Sequence, residues 1–158
     1  MSQPVSIPMT PDGRCVAQSD LAGRFVYKFE GNAVRNNVAH RICGIGQFTL
    51  DATGHLVGSH TSSGTPLQGT VKGGVLVGTY QLKGTMLLDA GENLGDARIF
   101  FTTSEARMDS VDGRFRFAVV GTPDRLWLMS TGATIIGQAG PVDIAELVII
   151  EAVRFPGG

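Results

Sequence analysis

The sequence predicts an all-β protein, an antiparallel up-and-down meander closed into a small barrel of about eight to ten strands and preceded by an extended N-terminal arm. Three observations carry this. Apolar and polar residues alternate with period two in segment after segment, as in GRFVYKFEG and GRFRFAVVG. No stretch holds an i, i+3, i+4, i+7 apolar stripe of helical length, so crossover helices lack their raw material. The 22 glycines follow no Gly-X-Y period and fall at turns and strand bends, among them Gly44, Gly46, Gly58, Gly69 and Gly78. A sandwich is the alternative, but strands joined in sequence by short turns favour a closed meander, which leaves no exposed sheet edge.

Residues 1–20 carry Pro4, Pro8 and Pro11 without either periodicity and read as an arm; residues 21–158 read as one barrel domain. GRFVYKFEG sets Phe25, Tyr27 and Phe29 on one face, opposite Arg24, Lys28 and Glu30. NAVRNNVAHR lacks a strand period and is expected to be a long polar loop or one helical turn. CGIGQFTLD and HLVGSHTSS form a hairpin about the turn DATGH. PLQGTV, a turn at Lys72-Gly73-Gly74 and VLVGTYQL form the next unit, then GTMLLDA, a loop from Gly91 to Gly95, and DARIFFTTSEA. GRFRFAVVG and RLWLMST flank Thr122-Pro123-Asp124, and AELVIIEAVRF is the apolar strand suited to closure.

Charge and motifs exclude several function classes. With 13 basic and 14 acidic residues the net charge is −1, and no positive field draws the chain to nucleic acid. The N-terminal residues have no basic region followed by an apolar run, and no segment has the run of about 18 apolar residues that a spanning helix needs. A soluble, cytoplasmic protein that engages no membrane is expected. Cys15 and Cys43 then read as reduced thiols. His55 and His60 lie five apart, on opposite faces of one strand, and no metal site is expected. Phosphate-loop, nucleophile-elbow and His-Glu-x-x-His motifs are absent, and no cofactor is expected.

The fragments GRFVYKFEG, GIGQFTLDATGHLVGSHTSSG and LVGTYQLKGTMLL resemble a recurring pattern of bacterial β proteins. In it Gly-x-Tyr-x-Phe-x-Phe opens the first strand, a Gly-x-x-x-Phe-x-x-Asp-x-x-Gly hairpin follows, and a Gly-Thr-Tyr strand leads to a Gly-Thr pair. Phe25 stands where the pattern has its tyrosine. The plan of residues 23–154 also resembles the calycin-type and allene-oxide-cyclase-type small barrels. That resemblance implies a barrel used as a container for an apolar small molecule. The matching letters are glycines and alternating aromatics, and the lipocalin-type Gly-x-Trp is missing, since Arg24 and Phe25 follow Gly23. No catalytic residue carries over.

The candidate ligand-binding residues are the aromatic row Phe25, Tyr27 and Phe29, the polar segment Arg35, Asn37, His40 and Arg41, and His60 and Trp127. In a mouth loop, Arg35 or Arg41 would hold a ligand carboxylate or enolate, and His40 would move a proton near neutral pH. His40 and Tyr27 are the candidate catalytic pair; for Tyr27, Tyr80 and His60 the plainer role is core packing. Asp89 and Glu105 end apolar strands and would serve as acid and base only if the barrel brought them together, while Arg98, Arg114 and Arg116 read as a solvated outer stripe. The leading expectation is a barrel that binds a hydrophobic small molecule. The alternatives are a cofactor-independent isomerase, cyclase or hydratase acting inside it, and a structural oligomerisation module. An isologous homodimer is the default assembly.

Overall fold

The computed structural model describes residues 16–35, 38–66, 76–104, 110–137 and 140–155. Eight antiparallel strands close into one barrel in sequence order: β1 (Gly23–Arg35), β2 (Val38–Leu50), β3 (His55–Pro66), β4 (Leu76–Leu88), β5 (Leu94–Thr102), β6 (Ser110–Val119), β7 (Arg125–Gly137) and β8 (Gly140–Arg154). β8 pairs with β1, Phe25 facing Arg154 and Val34 facing Ala145. The meander and its closure are as the alternation predicts.

Two segments differ from expectation. NAVRNNVAHR is mostly strand, because β1 runs on to Arg35 and β2 starts at Val38, with Ala33 facing His40 in the ladder. The hydrophobic period vanishes there because the inward positions are Gly31, Ala33 and His40, which pack no core. VLVGTYQL and GTMLL are one strand, β4, since Lys83-Gly84 stays paired with Phe100 and Ile99. PLQGTV falls outside the described residues after Pro66, as do Cys15, Asn37 and Glu105.

The end where β1 begins is sealed. Instead of running along the surface, the last part of the expected arm forms a 3-10 turn, Gln18–Leu21, that drives Leu21 into the barrel with no exposed surface. Gln18 locks the turn to β4, its amide Nε2 donating to Met86 O at 2.8 Å and its Oε1 accepting from Leu88 N–H at 2.8 Å. Arg154 closes the rim from β8. Its guanidinium donates to Ala22 O (2.6 Å), Asp20 O (2.8 Å), Pro123 O (3.0 Å) and Asp124 Oδ1 (2.7 Å) and lies over the Phe25 ring.

The core above this seal is graded. Next to it Phe25, Met86 and Leu126 are 0 % exposed, with Phe48 stacked on Phe25. Midway, Tyr27, Phe29, His60, Tyr80 and Phe101 keep 6–9 %. Towards the far end, on the β8, β1, β2 and β3 wall, the inward positions Ala33, His40, Ile42, Ser62, Gly64 and Glu146 are half-buried.

Candidate functional site

The middle layer is built around one imidazole. Tyr27, Gly46, His60 and Tyr80 occupy one cross-strand row over β1 to β4. Gly46 is the gap in that row. A methyl there would come within 2.6 Å of Tyr27 Cζ and Oη, so only glycine lets the phenol cross β2 to reach β3. Tyr27 Oη then sits 2.7 Å from His60 Nδ1. The rings of Phe101 (4.9 Å), Phe29 (5.1 Å) and Tyr80 (5.2 Å) enclose the imidazole.

This setting fixes both protonation states. Burial lowers the His60 pKa to about 4 and pushes that of Tyr27 well above its ordinary value, so both groups are neutral at pH 7. Tyr27 Oη and His60 Nδ1 share this one hydrogen bond, whose donor depends on the tautomer; with the phenol donating, His60 carries its proton on Nε2. Asn93 Oδ1 is the only fully buried side-chain polar atom without a partner among the described residues. His60 Nε2 has no partner among the described residues and is therefore not fully buried.

A second polar group stands on β8, three strands from β3 and further towards the far end. Glu146 faces Ala33 in the β8–β1 ladder and shares the inward parity of Val148, Ile150 and Ala152. Its carboxyl makes no hydrogen bond or ion pair among the described residues, and desolvation raises its pKa to about 7. The backbone around it is irregular, with register shifts between Arg114/Phe115 and between Met129/Ala133. Ser130 mends the ladder: its hydroxyl donates to Glu146 O and accepts from Val148 N–H, both at 2.9 Å. Glu146 is thus held by its backbone, leaving its side chain uncommitted.

The expected site residues divide accordingly. Tyr27, Phe29 and His60 come together, and His40 faces inward above them, next to Ala33. Phe25 lies in the sealed layer beneath. Arg41 is on the outer face, because it alternates with inward His40 and Ile42. Trp127 is also outside and 51 % exposed, since β7 turns Leu126 and Leu128 inward. Arg35 ends β1 at the open end. Asp89 is not an interior acid, because it pairs with Arg116 at 2.9 Å on the outer surface. That arginine also meets Asp96 (3.0 Å), and Arg98 meets Asp112 (2.8 Å), so the outer arginine stripe is an ion-pair ladder.

Glu146, Phe101 and Ser130 are the interior positions that periodicity did not single out. In AELVIIEAVRF both faces are apolar with one glutamate each, Glu146 and Glu151, so alternation alone does not say which carboxylate enters the barrel. The register with β1 decides it.

A groove of about 630 Å³ runs along β8, β1, β2 and β3, lined by Val26, Lys28, Ile45, Gln47, Thr61 and Val153 and also by Tyr27, Gly46, His60 and Ala152. Most of its walls are outward residues, and Glu146 is not among them. Further round, Trp127, Met129, Leu147 and Ile149 expose apolar surface on β7 and β8. Among the described residues no group of three or more His, Cys, Asp or Glu is placed to hold a metal, no helix is long and apolar enough to cross a membrane, and Cys43 is a free, exposed thiol.

By its fold the protein is an eight-stranded antiparallel β-barrel with one sealed end, His60 midway along its interior and Glu146 towards the other end. No protein-family model matches the sequence, and comparison with curated proteins and with solved structures returns no significant match.

Proposed function

We propose that the protein binds a small hydrophobic molecule in the upper half of the barrel, with one ligand oxygen held by Nε2–H of His60. The supporting observation is the gradient of exposure along the inward face, from 0 % at Phe25 and Leu126, through 6–9 % in the ring layer, to half-buried at Ala33, His40 and Ile42. A barrel filled throughout by its own side chains would be sealed at every level. Aromatic walls with a few convergent polar groups are the common composition of small-molecule sites. The same use of a barrel is what the resemblance to calycin-type and allene-oxide-cyclase-type proteins implies. The proposal is for a cytoplasmic protein whose partner is the small molecule itself.

Fluorescence titration with the neutral apolar probe N-phenyl-1-naphthylamine tests it. Saturable binding is expected for the wild type. Ser62→Trp, which sets an indole beside Gly44 and Gly78 in the cavity, is expected to weaken it at least tenfold, and Trp127→Ala on the outside to leave it unchanged. No saturable binding by the wild type, or equal binding by Ser62→Trp, would overturn the internal site.

A further inference from the structure

The outer face of β7, β8, β1 and β2 carries more apolar surface than contact with water accounts for. Ile45, Trp127, Met129, Leu147, Ile149 and Val153 lie on it and are 41–75 % exposed. The outer faces of β5 and β6 instead carry the ion pairs of Arg98 and Arg116 with their aspartates. At about 60–120 Å² for each large apolar side chain, the face offers on the order of 500 Å² of apolar surface. A standard interface buries about 800 Å² on each partner, a little over half of it apolar. The face therefore matches one interface in size and composition.

The ladders also give it an order that is its own complement. One cross-strand row reads Trp127, Glu151, Lys28, Ile45 from β7 to β2: apolar, acidic, basic, apolar. A two-fold axis parallel to the strands and midway between β8 and β1 lays that row on its own reverse. Trp127 then meets the partner's Ile45 and Glu151 meets the partner's Lys28, each contact being made twice. The adjacent row is Arg125, Val153, Val26, Gln47, and the same axis sets Val153 on the partner's Val26 and Arg125 on the partner's Gln47. No like charges face each other in either row. We propose that two copies of the chain associate through this face as an isologous dimer about that axis.

The groove supplies the fit. The outside of a barrel is convex, and two smooth barrels would touch along a line. The groove of about 630 Å³ interrupts that convexity, with Ile45 in its wall beside Gln47 and Thr61. The partner's Trp127, arriving over Ile45, enters it as the large aromatic anchor that interfaces bury near their centre. Lys28 and Glu151 already pair within one chain at 3.5 Å, so in the dimer four charges alternate in sign around the axis. The face lies outside the barrel and the proposed ligand site inside it, so the failure of either proposal leaves the other standing.

Sedimentation equilibrium and acrylamide quenching of Trp127, the only tryptophan, test this on the full chain between about 1 and about 100 μM. Expected is a mass of twice 16.7 kDa at the upper concentrations, with quenching that falls as the dimer forms. Lys28→Glu and Glu151→Lys each bring like charges together across the axis and are expected to weaken association at least tenfold; the double variant is expected to restore it. Ile45→Glu, which sets a carboxylate against the partner's Trp127, should be monomeric throughout, with Trp127 open to quencher at every concentration. All three side chains are exposed, so these substitutions spare the core. A wild type that is monomeric at about 100 μM overturns the proposal. That includes the case in which Trp127 is shielded only by added phosphatidylcholine vesicles, which would give the face to a lipid surface. A dimer that persists in Ile45→Glu, or a double variant no tighter than the single ones, overturns the two-fold packing.

Discussion

A single absent side chain organises the interior. Because Gly46 has no Cβ, the Tyr27 phenol crosses β2 and sets the proton of an imidazole on the neighbouring strand. In the proposed binding site Tyr27 is accordingly a positioning residue: it would act on a ligand through His60, as outer groups fix the tautomers of other functional histidines. Nitrogen-15 NMR of the imidazole distinguishes this from simple packing. The wild type is expected to show His60 as the Nε2–H tautomer with no protonation down to about pH 5, given its pKa of about 4. Tyr27→Phe keeps the ring but removes the donor, and its His60 should populate both tautomers. Identical nitrogen shifts in the two proteins would sink the positioning role. The inward direction of Tyr27 was legible from its alternation with Arg24, Val26 and Lys28. Its bond to His60 was not, because it depends on the β1–β2 and β2–β3 registers together, and no local pattern encodes both.

At the level of elements, strand signals were clearest where the inward residues are large. β1 up to Phe29 and β6 from Phe115 to Val119 are read directly from alternation. The β1–β2 extension to Arg35 and Val38 hid because its inward residues are small or polar, and that same feature keeps the upper barrel from filling with core. The seal was hidden for another reason. QSDL has too few residues to show any period, and its role follows from long-range contacts of Gln18 and Arg154. Leu21→Ala is expected to cost about 2–4 kcal/mol, as for other fully buried leucines that leave a cavity. Chemical denaturation measures it; a loss under about 0.5 kcal/mol would mean that the turn does not hold the end of the barrel.

Over the whole molecule, the two buried titratable groups oppose each other in their effect on stability. His60 falls from an ordinary 6.5 to about 4 in the folded state, so between those values the unfolded chain holds the extra proton. Its contribution to stability is present above pH 6.5 and lost as the pH falls towards 4. Glu146 rises from 4.5 to about 7, so its folded form holds the extra proton. Its contribution is present below pH 4.5 and lost as the pH rises towards 7. Asp51 and Asp112, held below the ordinary carboxylate range by the His55 backbone N–H and by Arg98 respectively, act further into acid. Wild-type stability should therefore change little from pH 4.5 to 6.5. Glu146→Gln removes one of the opposing slopes, and its stability should climb with pH across this window by up to about 1.4 kcal/mol per pH unit. Urea midpoints at three pH values decide the matter, and a flat profile in the variant would count against the burial of His60.

The seal made by Leu21, Gln18 and Arg154 also bears on traffic. With the lower end stoppered, the proposed binding function has its molecule enter and leave at the far end, where the described residues of β1, β2, β3 and β8 are half-buried. Arrival of the next occupant must then wait for departure of the last. A side chain that narrows this doorway slows both passages together and leaves the resting affinity unaltered. On the proposed function, residence time is thereby controlled at the rim, far from His60.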